Sequence, residues 1–151
     1  MAAQLWLLRH GEAEPHAGDD AIRELTERGE QQARIAGRAL AALELVFHAV
    51  YTSPKVRARR TAELACEALG VTPVVHEPLR HGFSAADARE LLLVGADQRI
   101  LVVGHNPDLA QVVHDATGAR IDLKKGGVAG FRDVELLALL RPRELERIAA
   151  G

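Results

Sequence analysis

Short apolar runs along the chain alternate with longer stretches in which apolar residues recur every three or four positions. Residues 5–8 (LWLL) form the first run and stop at Arg9-His10-Gly11. Four apolar residues between polar ones have the length of a buried strand. A polar loop with Pro15, Gly18, Asp19 and Asp20 follows. Thr26 then reads as a helix N-cap, with Glu27 well placed against the positive end of the helix dipole. Ala33, Ala36, Leu40 and Leu43 keep helical spacing, so the pattern predicts an amphipathic helix over 27–43. Residues 46–51 (VFHAVY) are the next predicted strand. Ser53-Pro54 has the form of an N-cap followed by proline at the first helical position, and Gly70 is a natural stop for that helix. Residues 72–76 (TPVVH) read as a short strand near a sheet edge, because Pro73 has no N–H to give to a ladder. Residues 85–95 read as helix and 99–103 (RILVV) as a buried strand. Asn106-Pro107 repeats the cap-plus-proline pattern and starts a helix that ends near 117. Residues 128–140 read as a hairpin turning near Asp133, and Pro142 to Ala149 as a short helix.

Strands alternating with helices imply an α/β fold: a three-layer sandwich with a mostly parallel central sheet and helices on both faces. The chain has no linker, repeat or low-complexity stretch, so its 151 residues are expected to form one domain, 1–151. With 48% hydrophobic and 26% charged residues, disorder is not expected. Nineteen basic residues against 21 acidic ones, with only five aromatics, argue against a nucleic-acid partner. No apolar run approaches the roughly 20 residues of a membrane helix, so no membrane partner is expected. The N-terminal MAAQLWLLRHGE lacks the basic segment and cleavage site of a signal peptide, and one cysteine excludes an internal disulfide framework. Together these features predict a cytoplasmic monomer.

Chemistry gathers where the strands end. In open α/β sheets ligands bind beyond the carboxyl ends of the strands. The first strand ends in Arg9-His10, the second leads into Ser53-Pro54 with Arg57 soon after, and the fourth ends at His105. If these strands are neighbours, two histidines, two arginines and two helix N-termini meet. Guanidinium forks match phosphate geometry, helix N-termini offer free N–H groups, and an imidazole can act as nucleophile.

These same residues carry a family resemblance. Leu8-Arg9-His10-Gly11-Glu12-Ala13 resembles the Arg-His-Gly signature of the histidine phosphatase superfamily. The segment from Thr52-Ser53-Pro54 through Arg57-Ala58 to Thr61-Ala62 looks like its second motif, and Gly104-His105-Asn106-Pro107 matches its distal histidine. Asp20-Ala21-Ile22-Arg23-Glu24-Leu25-Thr26, with Gly29 beyond, is similar to a further family stretch. The short chain most resembles the compact SixA-type phosphohistidine phosphatase branch. The resemblance implies that His10 is the nucleophile that becomes phosphorylated, that Arg9, Arg57 and His105 hold the phosphoryl oxygens, and that Arg23 lies beside the phosphate. It implies no cofactor and no metal. Arg9 and Arg57 are expected to lower the pKa of His10, leaving it neutral at pH 7, and His105 is expected to donate to the transferring oxygens as a protonated ring in the complex.

The chain departs from the larger family members in lacking a carboxylate between Leu79 and Gly82, where they supply a general acid. His81, Glu77, Glu12 and Asp19 are weak candidates for that role. An ester oxygen is a poor leaving group and profits from a positioned acid. The imidazole of phosphohistidine leaves readily once protonated, so the missing acid points to a phosphohistidine in a protein as substrate. A small phosphate ester is the alternative, as is a non-catalytic binder of phosphate or phosphoprotein on the same scaffold. Cys66, nine residues after Arg57, falls about half a turn round the helix from it, so a thiol nucleophile is not expected. Metal ligation by His10, Glu12 and Glu14 is not expected either. Lys124 and Lys125 are placed to reach the pocket mouth, and His16, His48, His76 and His114 need no chemical role.

Overall fold

The structure, a computed structural model, describes residues 2–16, 18–94 and 97–151. Its strands are β1 (Gln4–Arg9), β2 (Ala49–Thr52), β3 (Val74–Val75), β4 (Arg99–Gly104), β5 (Val128–Arg132) and β6 (Glu135–Leu140). The helices are α1 (Glu27–Ala42), α2 (Val56–Leu69), α3 (Ala85–Val94), α4 (Asp108–Thr117) and α5 (Pro142–Ala150). They build a six-stranded sheet in the order β3-β2-β4-β1-β5-β6. The first four are mutually parallel, and β5 and β6 run antiparallel at one side. The α/β sandwich expected from the alternation of strands and helices is therefore present.

The central strands read as unbroken apolar runs because both faces are covered. Trp6, Leu8, Leu101 and Val103 point to the face covered by Ala36 and Leu40 of α1, Ala58 and Ala62 of α2, and Leu145 of α5. Leu5, Leu7, Ile100 and Val102 point to the other face, against Ala88 and Leu91 of α3 and Leu109, Val112 and Val113 of α4. α1 and α2 touch at their backbones: a Cβ on Gly37 would lie 2.2 Å from the Ala65 carbonyl oxygen. Among the described residues no helix is long and apolar enough to cross a membrane.

Several element boundaries differ from the pattern-based expectation. Thr26 caps α1 as expected, its side chain accepting from the Gly29 N–H at 3.0 Å, and Gly70 ends α2 in the left-handed region at φ 70°. Ser53, however, does not cap α2. The helix begins at Val56, and the Ser53 hydroxyl accepts from the Lys55 N–H at 3.2 Å in a turn that precedes it. β2 starts three residues later than the apolar run: Phe47 is buried in the core, but His48 uses its Nδ1 to accept the Arg99 N–H. β3 is only two residues long, with His76 just beyond it. α4 starts at Asp108 rather than 107, with the Asn106 side chain accepting from the Ala110 N–H at 3.3 Å. Residue 95, expected to close α3, lies outside the described residues. The hairpin turns at Asp133, whose φ is 52°.

Candidate active site

The sheet order makes β2, β4 and β1 consecutive neighbours, so their carboxyl ends lie side by side. Main-chain bonds then fix the loops that leave them. The His10 N–H donates to Gly104 O at 3.1 Å, and the Ser53 N–H donates to Val103 O at 3.0 Å. The Gly126 N–H is shared between the Arg9 and His10 carbonyls. Thr61, fully buried on α2, ties the turn after His10 to that helix: its hydroxyl donates to Arg57 O at 2.7 Å and accepts the Gly11 N–H at 3.2 Å.

His10 and His105 are both buried, with ring centroids 5.3 Å apart and planes inclined at 56°. His10 Nδ1 lies 2.7 Å from the Gly11 carbonyl oxygen. Only an N–H can donate to that acceptor, so Nδ1 carries the proton and Nε2 keeps a free lone pair. Burial pushes the His10 pKa down to about 4, with the Arg57, Arg9 and Lys125 charges adding to the effect and the bond to Gly11 opposing it. The arginines act in the expected direction, but burial is the larger cause. His105 Nε2 lies 2.8 Å from Ser53 Oγ. Its pKa is lowered to about 3, first by burial and then by His10, Arg57 and Lys55, with Asp20 opposing. Both rings are thus neutral at pH 7 in the free protein.

The arginines are gripped from outside. Arg9 Nη1 donates to Leu123 O at 3.0 Å, and Asn106 Nδ2 donates to the same oxygen. Arg57 donates from Nη1 to Asp20 O at 2.8 Å and from Nη2 to Asp20 Oδ2 at 3.0 Å. Lys55 Nζ is 3.3 Å from the same carboxylate oxygen, while Oδ1 meets Arg23 Nη2 at 3.2 Å and His16 Nδ1 at 3.4 Å. Among the described residues, four buried side-chain nitrogens have no hydrogen-bond partner: Arg9 Nε, Arg23 Nε, Arg57 Nε and His105 Nδ1. Buried polar groups are nearly always paired, so nitrogens of this kind are open to a further acceptor.

The sequence-predicted residues Arg9, His10, Arg57 and His105 therefore come from three adjacent strand ends, and Arg23 joins them through Asp20. Ser53, Thr61, Lys55 and Asp20 carry contacts that sequence reasoning did not assign, although all four stand inside the stretches that carry the resemblance. Two of the weak acid candidates, Glu12 and Asp19, are occupied elsewhere. The Glu12 carboxylate accepts from the Thr26 hydroxyl at 2.8 Å, and that of Asp19 accepts from the Ala21 N–H at 2.9 Å. Glu77 is exposed and lies 3.8 Å from Arg80, and His81 is exposed. Asp20 is held ionised by Arg57 and Lys55, with its pKa near 2. Lys124 pairs with Asp122 at 2.7 Å, whereas the charge of Lys125 is felt at His10. Cys66 packs in the core on the α1–α2 side, where burial raises its thiol to about 11. Among the described residues no group of three His, Cys, Asp or Glu side chains is placed to hold a metal ion.

This arrangement sits beyond the carboxyl ends of the central strands of an α/β domain. The model of the histidine phosphatase superfamily (branch 1) matches residues 5–83, and the chain belongs to that family. It is 30% identical to a phosphohistidine phosphatase SixA homolog of Haemophilus influenzae, over 77% of this chain and 78% of that one. The solved structure of the protein histidine phosphatase SixA complexed with tungstate superposes with a TM-score of 0.84 at 22% identity, covering 94% of this chain and 99% of the other. A phosphoserine phosphatase of Entamoeba histolytica, solved with 3-phosphoglyceric acid, gives a TM-score of 0.76 at 17% identity, covering 95% of this chain and 99% of that one. The family and the Haemophilus relative support phosphatase chemistry, and the solved structures show the shared fold.

Proposed function

We propose that the chain is a metal-independent phosphatase that works through a phosphohistidine at His10 and removes phosphate from phosphohistidine in a protein. The observation that carries the reading is a buried, neutral His10 with a free Nε2, set 5.3 Å from the His105 ring and within reach of the Arg9 and Arg57 charges. His10 Nε2 attacks phosphorus, the bond from phosphorus to the leaving nitrogen breaks, and the leaving imidazole departs neutral because it was already protonated. Water then attacks the phosphorus of phospho-His10, the P–Nε2 bond breaks with its electron pair returning to Nε2, and the phosphate departs carrying the oxygen and protons of that water. Arg9, Arg57 and Arg23 hold the phosphoryl oxygens with His105, supplying the charge stabilisation that dominates such transfers.

The substrate class is supported by the employment of Glu12, Asp19 and Asp20 in other contacts, which takes those three carboxylates away from protonating an ester oxygen. The SixA relative agrees with it. The same reading takes the chain as one cytoplasmic domain.

A pulse with a labelled phosphoryl donor tests the chemistry. Acid-labile, base-stable label on His10 that is absent from His10→Ala is the expected result. No label and no turnover, with phosphate affinity retained, would show a binder instead. Competition between a phosphohistidine protein and small esters tests the substrate: preference for the esters overturns that part.

A further inference from the structure

The His105 ring has one engaged nitrogen and one that is not, and the engaged one meets a hydroxyl whose bonding choices are restricted. Ser53 is fully buried, and its backbone continues the ladder into Val103 O. Its Oγ accepts the Lys55 N–H at 3.2 Å and lies 2.8 Å from His105 Nε2. A main-chain N–H can only donate. If Nε2 also carried a proton, Oγ would face two donors, and the Ser53 proton would have no acceptor among its bonded neighbours. A buried hydroxyl left in that state is costly. With Nε2 bare, the Ser53 O–H donates to it, and every polar atom of that contact is satisfied.

The other ring nitrogen leads to the same tautomer. His105 Nδ1 is buried and unpaired, and its ring faces that of His10 at 5.3 Å. A bare Nδ1 would present a lone pair to phosphoryl oxygens, whereas an Nδ1–H would donate to one. We infer that Ser53 is a positioning residue that holds His105 as its Nδ1–H tautomer, making a neutral ring a hydrogen-bond donor to the phosphoryl group. This inference rests on the phosphoryl-transfer reading of the site. It replaces the need for a protonated His105 with a contact to a fixed hydroxyl. It also separates the two histidines by partner: the Gly11 carbonyl sets the tautomer of His10, and the Ser53 hydroxyl sets that of His105.

The test is 15N NMR of the full chain labelled in histidine, at neutral pH, with and without saturating inorganic phosphate. The expected wild-type spectrum shows His105 with a protonated Nδ1 and a bare Nε2, and the Nδ1–H resonance moves when phosphate is added. Ser53→Ala is expected to give a tautomer mixture at His105 while His10 keeps its Nδ1–H, and to lower kcat roughly tenfold or more with a smaller change in KM, as loss of a ring-orienting partner does elsewhere. A wild-type His105 protonated at Nε2 overturns the assignment, and this spectrum decides the matter even where S53A does not fold. A folded S53A with an unchanged tautomer and unchanged kcat also overturns it. The spectrum of the free protein requires no turnover. The expected tautomer in a chain that forms no phospho-His10 would sustain the role of Ser53 and refute the phosphatase reading.

Discussion

Acidification should destabilise this protein well above the pH at which its carboxylates titrate, and the two site histidines set the size of the effect. An unfolded histidine titrates near 6.5, whereas His10 and His105 do so near 4 and 3 in the folded chain. Between those limits the unfolded chain binds protons that the folded one does not, so stability falls as pH falls. Over pH 7 to 5 the two rings together remove about 4 kcal/mol, at 1.36 kcal/mol per unit of pKa difference per group. That is a large share of the roughly 5–15 kcal/mol that holds a typical domain together. Asp20, whose pKa is lowered to about 2, loses its contribution only below the ordinary carboxylate range, so the pH 5–7 window isolates the imidazoles. The assay is urea unfolding followed by circular dichroism at pH 7, 6 and 5 in phosphate-free buffer, on the wild type and on the double variant His10→Gln/His105→Gln. The wild type should lose about 4 kcal/mol across the window and the variant less than about 1 kcal/mol. Equal losses in the two proteins would refute the reasoning, because the pH dependence would then come from other groups.

Two substitutions separate chemistry from architecture. Arg57→Ala should lower kcat/KM by about 10²–10³ in a steady-state assay while the chain remains folded by circular dichroism; a melted variant would make the Asp20 contacts of Arg57 structural. Gly37→Ala should lower the urea midpoint, because the new Cβ would meet the Ala65 carbonyl oxygen at 2.2 Å. The overpacking cost of about 1–3 kcal/mol outweighs the gain of about 1 kcal/mol in helix propensity.

The parts of the fold and site that were legible in the sequence are those governed by local pattern. LWLL, RILVV and the helical spacing after Thr26 each bury a face that the sequence marks, and three strand ends bearing Arg9-His10, Ser53 and His105 need only be neighbours to make a site. Positions decided by tertiary contacts were not legible. Ser53 resembles a cap in every local respect, but its hydroxyl is engaged by Lys55 and His105 before the helix begins. Asp20 lies in a polar loop like many surface acids, and only the fold brings Arg57 and Lys55 to it. The lowered His10 pKa was expected from its arginines, yet its largest cause is the depth of burial, which spacing along the chain cannot reveal.

The position of β1 between β4 and β5 bears on how the molecule comes into being. The strand that ends at Arg9 is synthesised before both of its hydrogen-bonding partners, Arg99–Gly104 and Val128–Arg132. Until those partners are made, LWLL lacks its native ladder on both edges, and unpaired apolar strands of this kind invite association with other chains. Such distant pairings also make folding slower than in a helical bundle of similar length. The bonds from the Gly126 N–H to the carbonyls of Arg9 and His10 therefore form only once that later segment has been made.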